Sequence, residues 1–464
     1  MKRIPTGTVG LDTVLCGGLV ADSITLLGGP PGSGKTILAE SCLFTNASED
    51  RPGLYLSTVS EPFDKILRYG QSLSFFDVTK IGSAVFYDDL GDVLVHDGLG
   101  AVSDLISALV KEHRPGVVVI DSFKAMKAFA TDEADFRRFL HDLAGRFTAL
   151  AVSSIWVGEY SVEDAFASAE FAVADAVITL ETKRAVERST RYLSIAKLRG
   201  SGFLSGDHVY RVTRDGLQVF PRLADPAEHE AYVAPGERVS TGVPALDHCL
   251  EDGYWPGSTT LIAGPSGIGK TLMGLHFLYA AGPRKEPGIL LTLQENRTQL
   301  ARVIDRFGWS IDDPSVCIMD RSPVDAYVDE LVYQLLDAMQ EFGARRIVVD
   351  SYTDLARLSP DRTRLREFTY SLIQRCARNG VSLMFTHETV ELFGISRMSD
   401  YGISNISDNV VLLQHFPDGT DMKRAINVVK SRGTAPLTGI REFTISPKGI
   451  EVGEPVDANR LYRP

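Results

Sequence analysis

Short apolar runs alternate with longer stretches of mixed apolar and polar positions along this chain, and the whole alternation occurs twice. In the first half, runs at 24–27, 54–57, 84–87, 117–121, 149–153 and 176–180 read as strands, with helix-length segments between most of them. The second half repeats the series at 259–263, 289–292, 316–319, 346–350, 382–386 and 409–413. Strands alternating with helices predict an α/β fold, with a mostly parallel sheet covered by helices on both faces in each half. Further strand-like runs close each half, at 192–197 and 209–212, then at 425–430 and 442–445. These fit antiparallel additions at the sheet edge.

Two phosphate-binding loops sit in this pattern at matching places. The first reads Gly29-Pro30-Pro31-Gly32-Ser33-Gly34-Lys35-Thr36, and the second reads Gly264-Pro265-Ser266-Gly267-Ile268-Gly269-Lys270-Thr271. Both satisfy G-x-x-x-x-G-K-[ST], and each follows a predicted strand and opens a predicted helix. In that setting backbone N–H groups close around phosphate oxygens, the lysine reaches the β/γ-phosphates and the threonine hydroxyl ligates Mg²⁺. Thr6 and Thr241, like Lys35 and Lys270, stand 235 residues apart, which marks an internal duplication. We therefore expect a first domain at 1–224, a polar linker at 225–237, a second domain at 238–453 and a short tail at 454–464.

Apolar runs also end in acids: Val117-Val118-Val119-Ile120-Asp121-Ser122 in the first half, Ile347-Val348-Val349-Asp350-Ser351 in the second. An acid ending a buried strand beside a phosphate loop is placed to hold Mg²⁺, so Asp121 joins Thr36 and Asp350 joins Thr271 as candidate metal residues. Composition restricts the class further. Apolar residues make up 44% and charged residues 23%, and no run is long enough to span a membrane, so a cytoplasmic enzyme is expected. The five cysteines and nine histidines show no metal-ligand spacing. A net charge of −12 argues against a nucleic-acid partner.

On these residues the chain resembles the KaiC-like, tandem-domain branch of the RecA-type ATPases. The resemblance rests on Thr6-Gly7 with Leu11-Asp12 and Thr241-Gly242 with Leu246-Asp247, on both loops and both Asp-Ser strand ends, and on Lys197-Leu198-Arg199-Gly200 with Lys430-Ser431-Arg432-Gly433. It implies two tandem RecA-like phosphate-loop domains, ATP and Mg²⁺ in each, and a homohexameric double ring with nucleotide between neighbouring subunits. Residues two apart on a strand share a face, so Lys197 with Arg199, and Lys430 with Arg432, can present two cations to one anion. In the family these serve the neighbour's nucleotide. Arg191 and Arg424, each six residues earlier, are further candidates for contact with it.

Three departures from the family qualify that expectation. Paired glutamates usually follow the second strand; here Thr58-Val59-Ser60-Glu61 and Thr292-Leu293-Gln294-Glu295 occupy the place, which aligns Ser60 with Gln294 and leaves Glu61 and Glu295 as the remaining acids. Glutamine can orient a nucleophile but cannot take its proton, so slow hydrolysis is expected. The family's second domain can phosphorylate an adjacent Ser-Thr pair; Ser404 matches the serine, Asn405 replaces the threonine, and Ser399 and Ser407 are the nearby hydroxyls. Only a dozen residues follow Val452, where clock members of the family carry a longer regulatory segment, so a signalling protein partner other than the usual clock activator is expected. The reading is an ATPase with Ser/Thr autokinase activity in its second half. A nucleic-acid-dependent ATPase and a non-hydrolysing, ATP-gated scaffold stay open beside it.

Overall fold

The computed structural model describes residues 1–58, 63–161, 164, 168–185, 188–223, 236–279, 286–324, 326–359, 361–389 and 402–456. The chain divides into two compact units, Met1–Arg222 and Leu223–Pro464.

Each unit is built on a nine-stranded sheet, and the two sheets have the same strand order. In the first unit the order is Val85–Asp89, Gly53–Ser57, Val117–Asp121, Ser153–Gly158, Ile24–Gly28, Ala176–Ala185, Arg188–Leu198, His208–Thr213 and Gly216–Phe220. Pairings are parallel from the first of these through Ala176–Ala185 and antiparallel thereafter. In the second unit the corresponding order runs Val316–Asp320, Gly288–Thr292, Arg346–Asp350, Ser382–Glu388, Thr259–Gly264, Asn409–Asp418, Asp421–Ser431, Arg441–Ser446 and Gly449–Pro455.

The central strands are buried on both faces, which is why they read as unbroken apolar runs. Alternate residues feed opposite layers of core. Leu27, Tyr55, Val119 and Ile155 pack on one face of the first sheet, and Leu26, Leu54, Val118 and Trp156 on the other. Leu261, Ile289 and Ile347 in the second sheet likewise oppose Ile262, Leu290 and Val348. Helices such as Lys35–Asn46 and Glu133–Leu150 supply the covering layers.

One predicted strand is corrected. The run at 149–153 lies across a helix end and a strand start: Glu133–Leu150 is helical and the strand is Ser153–Gly158. Ala151 closes the helix in a left-handed conformation at φ 50°, and its N–H returns to the carbonyls of Phe147 and Thr148. The apolar side chains at the helix end continue without a polar break into those of the strand, so hydrophobicity alone does not show the junction. The strands Gly216–Phe220 and Gly449–Pro455 were absent from the sequence reading.

Candidate functional site

Both phosphate loops leave the carboxyl end of a central strand and run into a helix, Lys35–Asn46 in the first unit and Lys270–Tyr279 in the second. Gly34 sits at φ 96° and Gly269 at φ 117°. This left-handed turn, which only glycine adopts at little cost, swings the loop into the helix whose first N–H groups are unpaired. Gly29, Gly32, Gly264 and Gly267 complete the two loops. Ser33 and Ile268, at equivalent positions, are 1% and 0% exposed. The Ser33 carbonyl accepts from the Tyr210 hydroxyl at 2.6 Å, and Ile268 packs into the core. The sequence places both among the candidate cofactor-binding residues; their side chains are turned inward, and the Ser33 N–H donates to the Pro30 carbonyl at 3.3 Å.

The lysines and threonines match between units. Lys35 Nζ donates to the carbonyls of Gly29 at 3.0 Å and Pro30 at 2.8 Å. Lys270 Nζ does the same to Gly264 at 2.9 Å and Pro265 at 2.8 Å. Burial lowers both ammonium pKa values, opposed by Glu159 and Asp121 in the first unit and by Glu388 and Asp350 in the second. Thr36 Oγ1 donates to Asp121 Oδ2 at 2.8 Å, and Thr271 Oγ1 to Asp350 Oδ2 at 2.7 Å. Among the described residues, no group of three or more His, Cys, Asp or Glu forms a metal cage. Mg²⁺ does not need one, because one or two carboxylates suffice when phosphate oxygens and water complete the octahedron. The all-oxygen pair of Thr and Asp beside each loop fits that ion.

A cavity of about 790 Å³ opens over the first loop, a volume in the range of small-molecule sites. Gly32, Lys35, Thr36, Asp121, Lys124, Glu159 and Arg191 are among its lining residues, whereas Lys197 and Arg199 are not. Arg191 therefore shares a cavity with the chain's own phosphate loop, which Lys197 and Arg199 do not line. Arg424 holds the same ladder position, opposite His415 as Arg191 is opposite Thr182. Burial and then the Arg424 charge lower the His415 pKa.

Lys197 and Lys430 are held locally. Lys197 Nζ donates to the carbonyls of Phe171, Ala172 and Ala174, at 3.2, 3.1 and 2.5 Å. Lys430 Nζ donates to Ser404, Asn405 and Ser407, at 3.2, 3.4 and 2.6 Å. Each lysine thus caps the carboxyl end of a short helix, Ala169–Val173 or Ile403–Ile406. Burial first, then the neighbouring arginine, lowers both lysine pKa values. Arg199 and Arg432 pair loosely with Asp175 at 3.2 Å and Asp408 at 3.5 Å, and both are 57% exposed. The ladder shifts register just before each lysine, so one extra residue, Ala196 or Val429, bulges there and re-aims the strand end.

The acids after the second strand differ between the units. Ser57 pairs with Asp121 as Thr292 pairs with Asp350. Counting along the chain from that common pair, Val59 and Ser60 are in step with Gln294 and Glu295, and Glu61 with Asn296. This count differs by one residue from the sequence alignment of Glu61 with Glu295; Glu61 itself lies outside the described residues. Gln294 Nε2 donates to Asp354 Oδ2 at 2.6 Å, and Asp354 also takes the Ser351 hydroxyl and Arg357. Glu295 is half-buried, and its Oε2 has no hydrogen-bond partner among the described residues. Burial, reinforced by Asp350, raises its pKa.

Ser404 is half-buried on the helix Ile403–Ile406 that Lys430 caps. Ser407 is fully buried and donates to the Ile403 carbonyl at 2.9 Å, which removes it from the accessible hydroxyls. Ser399 lies outside the described residues. The sequence reading missed Glu159 and Glu388, which directly follow Ser153–Gly158 and end Ser382–Glu388, the strands beside each loop-bearing strand. Their shared separation from Asp121 and Asp350 was available in the sequence as a signal.

Two sheets of one strand order, each with a phosphate loop on its central strand, define a tandem RecA-like protein. A family model described as "ATPase: KaiC" matches residues 4–224 and again 239–457, and the chain belongs to the KaiC ATPase family. It is 31% identical over 467 aligned positions to the circadian clock oscillator protein KaiC of Picosynechococcus sp., covering 97% of this chain and 90% of that relative. The circadian clock protein KaiC3 of Synechocystis sp. is 29% identical over 475 positions, 98% of this chain and 92% of its own length. The circadian clock oscillator protein KaiC of Synechococcus elongatus is 29% identical over 471 positions, with coverage of 97% and 89%. Among the described residues, no helix is long and apolar enough to cross a membrane.

The raised Glu295 pKa carries a stability consequence. The folded chain holds this proton more tightly than the unfolded chain, so the contribution is present below the ordinary value of 4.5 and lost as pH rises through the folded pKa. Glu295→Gln removes the cost of the buried charge. The variant should be more stable than the parent above the folded pKa, with the gap narrowing as pH falls towards 4.5. Denaturant titrations of both proteins across that range check this, and a gap that ignores pH would refute it.

Proposed function

We propose that this chain binds ATP·Mg²⁺ in both halves and hydrolyses it slowly. The observation that supports this best is the pair of complete phosphate loops, each tied by its threonine to the acid that ends the next strand but one, at 2.8 and 2.7 Å. Lys35 and Lys270 meet the β/γ-phosphates, and Thr36 with Asp121 and Thr271 with Asp350 hold the metal, which neutralises charge on the transferring phosphoryl group. Glu295 is the proton acceptor of the second half, since its raised pKa and unpartnered Oε2 suit that task, while Gln294 orients the nucleophile through its amide. The first half has Val59 and Ser60 in step with these residues, which supports slower turnover there. Lys35→Ala and Lys270→Ala should each remove about half of the ATP bound at saturation, as the loop lysine is a main phosphate contact. Equilibrium dialysis decides it, and full stoichiometry in either variant would remove that loop from the reading.

The chain further assembles as a hexameric double ring with nucleotide at the subunit boundaries. Arg199 and Arg432 support this, because they are more than half exposed and Arg199 lies outside the lining of the chain's own cavity. They contact the neighbour's phosphates, while Lys197 and Lys430 fix the helix ends beside them. Native mass measurement in ATP·Mg²⁺ should give a hexamer that loosens on nucleotide removal. Arg199→Ala should slow first-half hydrolysis without abolishing binding. A monomer under those conditions would end the trans-contact reading.

Ser404 is the phosphate acceptor of the second half. Its Oγ attacks the neighbour's γ-phosphorus from about 3–3.5 Å, the bond to the β–γ bridging oxygen breaks, ADP leaves and the serine proton passes to Glu295 of the subunit that holds that ATP. The new phosphate would carry roughly −1.5 to −2 charge at the helix that Lys430 caps, and would draw Lys430 and Arg432 from their carbonyl contacts. Incubation with radiolabelled ATP and peptide mapping should place label at Ser404. A bound-ATP sample with no label between Arg397 and Lys423 would leave the second half an ATPase without kinase activity.

A further inference from the structure

Beneath the first threonine–aspartate pair, the two halves differ in kind. Glu40 stands four residues after Thr36, on the same face of the helix Lys35–Asn46. Its side chain is only 2% exposed, yet it lines the same cavity as Thr36, Tyr55 and Asp121. The Tyr87 hydroxyl donates to Glu40 Oε1 at 3.4 Å, and the Tyr55 hydroxyl donates to Asp121 Oδ2 at 3.0 Å. The two tyrosine rings lie 5.1 Å apart. A connected path therefore runs from Thr36 through Asp121, Tyr55 and Tyr87 to a second, buried carboxylate.

The second half has none of these groups. Helix and ladder registers put Leu275, Leu290 and Ile318 where the first half has Glu40, Tyr55 and Tyr87. Leu275 and Leu290 are buried among apolar neighbours, and Ile318 packs against the same core. Three coordinated replacements, from different elements, turn an apolar floor into a polar one under one metal pair only. A carboxylate withdrawn from water is stabilised by a nearby cation, and a dication at Thr36 and Asp121 is such a charge.

We propose that Glu40 is a positioning residue of the first site. With Tyr87 it seats Tyr55 against Asp121, and its charge adds to that of Asp121 behind the metal. Mg²⁺ affinity in the first half thus depends on a second carboxylate, Glu40, whereas in the second half Leu275 stands in its place. This rests on the reading that the first loop binds ATP with Mg²⁺.

The test uses the full chain carrying Lys270→Ala, so that the first loop alone reports. Mg²⁺ is titrated at fixed concentration of a fluorescent ATP analogue, with a metal-free baseline in EDTA. Glu40→Gln, which keeps the side-chain shape, and Glu40→Leu, which copies the second half, should each raise the Mg²⁺ midpoint about tenfold, typical of groups that support a metal's ligands. Analogue binding in EDTA should stay within about twofold of the parent, because outer residues of a metal site act through the metal. Tyr87→Phe should move the midpoint the same way by less, and Glu40→Asp should recover part of it. Midpoints within about twofold of the parent for both Glu40→Gln and Glu40→Leu would overturn the proposal, as would equal loss of binding with and without Mg²⁺. Adding Lys35→Ala separates the two failures: analogue binding that survives it means the first-site reading itself is wrong, whatever Glu40 does.

Discussion

A hydroxyl that opens one helix must meet a carboxylate that ends a strand, across residues 85 apart in the first half and 79 apart in the second. Much of each unit's topology follows from that meeting. The loop-bearing strand and the acid-bearing strand are not neighbours; Ser153–Gly158 lies between them, and Val157 pairs with Leu27 on one side and Asp121 on the other. A slip of one residue in either ladder would turn Asp121 to the opposite face of the sheet. The burial of these strands on both faces is what forbids the slip, since it would also turn core residues the wrong way. Long-range register, set by apolar packing, thereby fixes a contact of less than 3 Å between polar groups.

The two halves hold their acids by different means. Asp121 takes a second hydrogen bond from Tyr55, on the strand to one side of it. Asp350 takes its second from Thr386, on the strand to the other side, where the first half has Val157. Duplication preserved the acid and its threonine while the supporting residue moved from one neighbouring strand to the other. Gln294–Asp354 in one half and the buried Glu40 in the other make the halves chemically unlike around matched loops.

Much of this is legible in the sequence alone. The loops and the Asp-Ser strand ends show in the sequence because their function depends on local order: a glycine-lined turn between strand and helix, an acid after four apolar residues. The parallel sheet was legible for a similar reason, as strands buried on both faces must be apolar throughout. What stayed hidden depends on distant partners or on direction. Nothing local distinguishes Ser33 and Ile268, turned inward, from loop residues that face a ligand. Glu40 reads as an ordinary helix acid until Tyr55 and Tyr87, 15 and 47 residues away, are brought beside it. The strand misplaced at 149–153 failed because an apolar helix end and an apolar strand start look alike without the left-handed Ala151 between them.

The hairpin strand Arg188–Leu198 ties two places together mechanically. Arg191 lines the chain's own cavity near one end, and Arg199 stands exposed just past the other. Eight residues of extended chain separate them by roughly 26 Å at about 3.3 Å per residue. The ladder with Ala176–Ala185 runs along the strand, so the two arginines are set on one hydrogen-bonded frame. The bulge at Ala196 interrupts that ladder close to the exposed end. The direction in which Arg199 leaves the sheet is therefore set by that bulge, separately from the placing of Arg191. The second half repeats this layout from Arg424 to Arg432, with its bulge at Val429.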